Sequence, residues 1–92
     1  MLKLIDKIIT RGGEKVGWVD EKHVFDEHGT KIGFFEGNEI YDHSARKIAR
    51  IEGNHILTHD GKTLRLDDSH NHVSGGTVSD LERSAIWLLI GD

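Results

Sequence analysis

A repeat of sixteen residues constrains this chain more than any other feature of its sequence. Shifting the sequence against itself by sixteen positions aligns three central copies without gaps, with a looser copy on either side. The outer copies are degenerate, as terminal repeats usually are. The five copies are residues 1–15, 16–31, 32–47, 48–63 and 64–79. The chain is therefore built from one small unit used several times.

Each copy contains two short apolar runs separated by turn signals. The runs, such as Val24-Phe25 and Ile40-Tyr41, are rich in β-branched and aromatic residues and are too short for helices. Gly37-Asn38 and Gly53-Asn54 suit two-residue hairpin turns, whereas Glu21-Lys22 is an unfavourable exception. Each copy therefore predicts a pair of strands.

The second connection in each copy is longer and opens with Asp or Thr. The side-chain oxygens of Asp26, Asp42 and Thr58 can accept hydrogen bonds from loop N–H groups. Most of these loops close with a glycine that can adopt the left-handed conformation, but one carries Ala45 instead. We therefore expect ordered loops, with strain at Ala45.

Turns this frequent, with no proline in the chain, predict a meander of about eight to ten short strands. An open flat sheet would leave long edges and a bare apolar face, and closing the sheet on itself removes both. Four equivalent hairpins follow, over residues 7–20, 23–36, 39–52 and 55–68. The predicted fold class is all-β: a shallow pseudo-fourfold barrel of short hairpins, followed by a short C-terminal helix.

This pattern resembles the 4-fold β-flower proteins, small bacterial chains with a shallow barrel of radially arranged hairpins. The residues that carry the resemblance are the two glycine links described above together with Val16-Gly17-Trp18, Ile32-Gly33-Phe34, Ile40-Tyr41-Asp42 and Ile48-Ala49-Arg50. The resemblance implies a fold and carries no activity, substrate or cofactor with it.

Length and composition narrow the protein class. A chain of 92 residues suits one domain, with hairpin repeats over 1–79 and a helix over 80–90. The absence of cysteine indicates a reducing compartment, so we expect a cytoplasmic protein. The net charge of −4 and the scattered basic residues argue against a nucleic-acid partner. The N-terminal segment has neither the apolar core of a signal peptide nor the length of a membrane span, and we expect the mature protein to begin near Met1.

The sixteen-residue frame ends at Ser79, where Ser79-Asp80-Leu81-Glu82 matches a capping box and predicts a helix. The longest apolar run of the chain follows, formed by Ile86, Trp87, Leu88, Leu89 and Ile90. One interpretation is that this segment packs across the barrel mouth or forms a closing strand beside Leu2–Leu4. The other is that it makes a subunit interface or touches a membrane surface.

Histidine is abundant, and one column of the repeat could form a site. His23, Glu39, His55 and Asn71 share that column, so hairpins arranged around an axis would place them on a ring. Imidazole and carboxylate both suit zinc, nickel or manganese. The alternative is that His23, Glu39 and His55 are solvated cross-strand partners of nearby acids, and we expect no cofactor. His70-Asn71-His72 is a weaker signal, because an extended strand would place both rings on one face.

Two adjacent apolar columns raise a question about the barrel wall. Trp18 and Phe34 occupy one column, and Val19 and Phe35 the next. Strand alternation forbids both from facing inwards unless a bulge intervenes, and the small residues just before them, such as Gly17, favour a bulge. The alternative is an exposed aromatic belt that a partner chain or an apolar ligand could contact.

No constellation of catalytic residues is present. No serine lies in a Gly-x-Ser-x-Gly setting, and the glycine pairs do not form a phosphate loop. We therefore expect a non-enzymatic interaction or assembly module that forms a homo-oligomer or binds a protein partner, with Ile86–Ile90 as its interface. The alternatives are a binder of an apolar small molecule or lipid in the barrel mouth, and a histidine-based metal-binding protein.

Overall fold

The structure is a computed structural model that describes residues 1–91; Asp92 lies outside the described residues. Ten strands and two α-helices follow one another along the chain. The strands are β1 (Leu2–Ile5), β2 (Ile8–Arg11), β3 (Glu14–Asp20), β4 (His23–Asp26), β5 (Lys31–Glu36), β6 (Glu39–Asp42), β7 (Lys47–Glu52), β8 (His55–Thr58), β9 (Thr63–Arg65) and β10 (Val73–Ser74), and the helices are α1 (Ser69–His72) and α2 (Asp80–Ile90).

All ten strands belong to one sheet whose order is β10-β1-β2-β3-β4-β5-β6-β7-β8-β9. From β1 to β9 each strand pairs antiparallel with the next, and β10 returns to pair parallel with β1. The sheet is curled, with α2 against its inner face, mainly along β5 and also along β4 and β6. The prediction of an all-β meander of short hairpins with a C-terminal helix is confirmed. The predicted closure is incomplete, because β9 and β10 end the sheet without pairing with each other.

The repeat is visible in the hydrogen bonds of the turns. In three successive loops the N–H of the opening residue donates to a carbonyl four residues later at 2.9 Å, as from Asp26 to Thr30 and from Asp42 to Arg46. The Asp42 carboxylate also accepts from two loop N–H groups, as the sequence predicts. Ala45 and Glu21 have positive φ angles of 63° and 53°, so both unfavourable turn positions adopt the expected backbone.

A β-bulge recurs once in each central hairpin, just before the two adjacent apolar columns that contain Phe34 and Phe35. The register shifts where Ile32 is the extra residue opposite Val24 and Phe25, and the same shift recurs sixteen residues later at Ile48. Because of the bulge, Ile32 and the buried Gly33 both approach the inner face. The following residue, Phe34, lies on the outer face. A bulge is therefore present beside the small residues, but it does not turn both apolar columns inwards: Phe35 is buried, whereas the column of Trp18 and Phe34 is half-buried on the outer face.

The core fills the inner face at two levels. Near the two-residue links it consists of strand side chains such as Val24, Ile40 and Ile56, all fully buried. Near the longer loops the sheet contributes small residues, and the helix fills the space they leave. An ideal Cβ at Gly33 would lie 2.7 Å from the δ-methyls of Leu89. The helix is therefore seated against the barrel wall as part of the core.

Residues 64–79 depart from the repeat after β9. The predicted fourth hairpin, 55–68, stops pairing at Arg65, where a 3-10 turn over Leu66–Asp68 begins. The chain then forms α1 and the two-residue strand β10. The strand beside Leu2 is therefore β10 and not the C-terminal segment. His70 and Asn71 lie on α1, so the strand predicted for them is wrong.

The C-terminal helix begins where the capping signal predicts. Ser79 is the N-cap, and its hydroxyl accepts a hydrogen bond from the Glu82 N–H at 3.1 Å. The helix buries Arg83, Ser84, Ala85 and Ile86 in succession, so its middle is enclosed on all sides rather than along one stripe. None of the helices between residues 1 and 91 is both long and apolar enough to span a membrane.

Candidate functional site

The outer face of the sheet carries a row of stacked rings. Trp18 stacks on Phe25 with ring centroids 5.4 Å apart, and Phe34 stacks on Tyr41 at 4.6 Å. His23 lies between the two pairs, 6.4 Å from Phe25 and 6.2 Å from Phe34. These five residues are called the outer aromatic row below. Each is half-buried, because neighbouring rings cover one another.

Charged side chains cover parts of this row. The Lys15 ammonium lies 4.4 Å from the Trp18 ring centroid, within the range of a cation–π interaction. Lys47 forms an ion pair with Glu39, and this contact is the main reason that the pKa of the Glu39 carboxyl is lowered. The Tyr41 hydroxyl donates to Glu39 at 3.1 Å, and its pKa is raised by burial and by that bond. The polar groups at the Tyr41 end of the row therefore already have partners within the chain.

The candidate metal column lies on the outer face. His23, Glu39 and His55 occupy β4, β6 and β8, each opposite in direction to a fully buried neighbour on its strand. Strands β4, β6 and β8 are two steps apart in the sheet, which separates them by about 10 Å. Asn71 lies on α1 and leaves the column altogether. The structure therefore does not bring these side chains together around an axis, and residues 1–91 contain no group of three His or acidic side chains suited to one ion.

We expect thermal melts of the protein to be the same with zinc, with nickel and with a chelator. Metal ligands must approach the ion to about 2.0 to 2.2 Å, and residues 1–91 bring no three His or acidic side chains to one such point. A bound ion would raise the melting temperature as the logarithm of its free concentration. Such a rise, removed by His23→Ala or His55→Ala, would contradict this expectation.

The predicted interface residues of the C-terminal helix are differently exposed. Ile86 is fully buried within the single chain and has no surface to offer a second copy. The other four, from Trp87 to Ile90, are half-buried. Leu89 packs against Gly33 and Ile90 against Gly17, so part of their apolar surface already contacts the barrel wall.

A cleft of about 350 Å³ separates the C-terminal half of α2 from β7 and β9. Trp87 and Leu88 form its helix side, and Ile48 and Leu64 its sheet side. The Trp87 ring stacks on the His72 ring with centroids 4.4 Å apart and planes 9° apart. The cleft exists because the helix leans towards the glycine side of the barrel, away from β7 and β9. We call this space the helix cleft.

A second exposed feature lies on the outer face of the first hairpin. Met1, Ile5 and Ile8 are the large hydrophobic residues left exposed in the described chain, at 62%, 52% and 45% of their full surface. Ile5 pairs with Ile8 across β1 and β2, and Ile8 pairs with Trp18 across β2 and β3. These four residues, named the N-terminal patch below, extend the outer aromatic row from β3 to β2 and β1.

Sequence reasoning did not single out the N-terminal patch, although a signal for it exists. Leu4 and Ile9 are almost fully buried, so strand alternation places Ile5 and Ile8 on the opposite face. Four apolar residues, Leu4, Ile5, Ile8 and Ile9, flank one two-residue link, and strand alternation cannot bury all four on the inner face. The sequence pattern does not reveal this easily, because charged residues interrupt the apolar residues of the N-terminal segment.

Comparison with protein families gave one result that bears on this geometry. A family model described as 4-fold beta flower protein matches residues 6–82, which include every strand from β2 to β10 and the start of α2. Searches of curated proteins and of solved structures gave no significant match. The hairpin meander, its recurring bulges and the family match agree, and the chain belongs to the 4-fold beta flower family.

Proposed function

We propose that the chain is a non-enzymatic interaction module that forms a homodimer through the N-terminal patch. The observation that carries the proposal is the clustering of the exposed Ile5 and Ile8 next to Trp18 on one face of the sheet, with Met1 exposed at the start of the same hairpin. Exposed apolar side chains scattered singly need no explanation, but a contiguous group marks an interaction surface. The cytoplasm is the proposed setting, in keeping with the lack of cysteine.

A second copy is the partner that the charges around the patch favour. Basic and acidic groups alternate at its rim: Lys3, Lys7 and Lys15 stand beside Asp6 and Glu14. A two-fold interface places the same surface on both sides, so it must be complementary to itself. An apolar centre with a rim that carries both signs of charge meets that condition.

The edges of the sheet leave side-chain contacts as the main route to association. The two edge strands, β9 and β10, contain three and two residues, so they offer few unpaired backbone groups. The wide outer face is the remaining large surface of the sheet. Association through that face leaves the hydrogen bonding of the barrel unchanged.

Surface area indicates that the dimer would be reversible. The single chain exposes 5441 Å², close to the roughly 5,400 Å² expected of a compact monomer of this mass. The fold is therefore complete without a partner. A standard interface takes about 800 Å² from each subunit, roughly one-seventh of this surface.

The test is to measure the mass in solution by sedimentation velocity over a range of protein concentrations. We expect a concentration-dependent dimer for the natural chain and a monomer for Ile8→Glu, because a carboxylate would be buried at the centre of the contact. Leu57→Glu is the matched control, since Leu57 is a half-buried apolar residue on β8, six strands away from β2 in the sheet. The control should dimerise normally.

Two results would overturn the proposal. The first is a natural chain that stays monomeric up to millimolar concentration. The second is dissociation by Trp87→Ala but not by Ile8→Glu, which would place the contact on the C-terminal helix. Circular dichroism of each variant shows whether the fold is retained, so loss of folding cannot be mistaken for loss of contact.

A further inference from the structure

We infer that the helix cleft binds a small carboxylic acid with a single ring or a short chain. This inference concerns a different surface from the N-terminal patch and does not depend on dimer formation. It rests on three observations: the apolar walls of the cleft, the basic and imidazole groups at its rim, and the asymmetric position of α2.

The position of the helix shows why this cleft is built into the fold. On one side of the barrel α2 is seated against glycines, with an ideal Cβ at Gly17 lying 3.0 Å from Ile90 Cδ1. The corresponding position in the next repeat carries Ala49, and the last repeat has no bulge, so Leu64 instead of Arg65 lies opposite the buried Ile56. Neither residue offers the helix as close a seat as a glycine does, and a space remains in front of β7 and β9. Sequence differences between repeats thus create the cleft.

The walls of the cleft are apolar and are held in place. Ile48 and Leu64 belong to the first column of the repeat and pack against the core from the sheet side. Trp87 is fixed on the opposite side by its stack on His72. A volume of about 350 Å³ lies at the lower end of the roughly 300 to 1,000 Å³ found for ligand sites. The apolar part of the ligand is therefore small.

The rim indicates the charge of the ligand. The Lys62 ammonium lies 3.9 Å from the Asp60 carboxylate, which is a loose ion pair that leaves the ammonium able to bind a second anion. Asp60 already accepts a hydrogen bond from the Thr58 hydroxyl, which lowers the pKa of its carboxyl. A carboxylate placed at the rim would share Lys62 with Asp60.

His59 is the second rim group, and the backbone fixes its ring. Its N–H donates to the Ile48 carbonyl at 2.9 Å, and its ring Nδ1 lies 3.2 Å from the same oxygen. The ring is thereby held against the mouth of the cleft, where it closes one side of the rim beside Lys62.

The experiment titrates ¹⁵N-labelled protein with 3-phenylpropionate, and separately with 3-phenylpropanol as the uncharged match. We expect saturable shifts of amide signals in β7 to β9 and α2, and of the Trp87 indole N–H. Lys62→Gln should weaken binding of the acid by about two- to fivefold, which is the effect of an exposed ion pair, and leave the alcohol unchanged. Lys22→Gln, which removes a similarly exposed lysine paired with Glu36, should change neither.

Leu64→Trp tests the cleft itself by filling it from the edge strand, and it should abolish the shifts caused by both compounds. The inference is overturned if shifts do not saturate, if they map to the N-terminal patch, or if the acid binds Lys62→Gln as tightly as the natural chain. If Leu64→Trp fails to fold, Leu88→Ala takes its place. That change removes part of the helix wall of the cleft and should weaken the binding of both compounds equally.

Discussion

Replacing Arg83 by methionine is expected to lower the free energy of unfolding by about 3 kcal/mol. Arg83 is 5% exposed, and its Nη1 donates to the carbonyls of Val73 at 2.6 Å and Gly75 at 3.1 Å. Its Nη2 lies 3.4 Å from the Gly76 carbonyl. Methionine keeps most of the apolar stem but leaves these acceptors without their donor. For a domain of this size the melting temperature should fall by roughly 12 to 24 °C.

Arg46→Met is the matched control for this change. Arg46 pairs with Asp42 at the surface, where its side chain is 79% exposed, so its loss should cost no more than about 0.5 kcal/mol. Chemical denaturation with circular dichroism gives both values. Equal stability of the two variants would show that the carbonyls at Val73 to Gly76 find water when the guanidinium is removed.

Gly33→Ala is expected to lower the free energy of unfolding by about 2 to 3 kcal/mol, because the added methyl overpacks the junction of helix and sheet. An ideal Cβ there would lie 2.4 Å from the Tyr41 carbonyl oxygen and 2.7 Å from both δ-methyls of Leu89. Neither neighbour can move without disturbing the strand pair or the helix seat. Differential scanning calorimetry measures the loss.

Gly37→Ala separates overpacking from backbone strain. Gly37 has a φ angle of +63° and open space around it, so alanine there should cost only the strain of about 1 kcal/mol. Adding Leu89→Ala to Gly33→Ala tests the mechanism, since the two costs should sum to more than the double variant shows. Simple additivity would place the whole effect in the strand pair.

The repeating part of the fold could be predicted from the sequence because its physics is local. The glycine links, the loop-opening aspartates and the β-branched runs each specify a hairpin within about sixteen residues. Even the bulge follows from small residues such as Gly17 and Gly33. The structure of residues 66–76 could not be predicted, because the repeat pattern there is weak. The path of this segment depends instead on the distant elements that it connects, namely β9, the pairing with β1, and α2.

The candidate surfaces were harder to predict, because they depend on contacts between distant segments. The sequence does not mark Arg83 as buried, because its burial depends on carbonyls of a loop eight to ten residues earlier. Ile86 looked available for an interface until the barrel enclosed it. The helix cleft depends on which repeats carry glycine and which carry Ala49. These features can be related to one another only once the contacts between distant segments are known.

The sheet order also determines how the chain can fold in time. Every pairing from β1 to β9 joins neighbours in sequence, and such hairpins form within about 1 to 10 microseconds. The pairing of β1 with β10 is different, because it brings Leu2 beside Val73 across some 70 residues. Closing a loop of that length costs on the order of 4 kcal/mol in chain entropy. We expect closure and helix docking to form one late step, before which Leu2 and Leu4 stay open to water and to other chains.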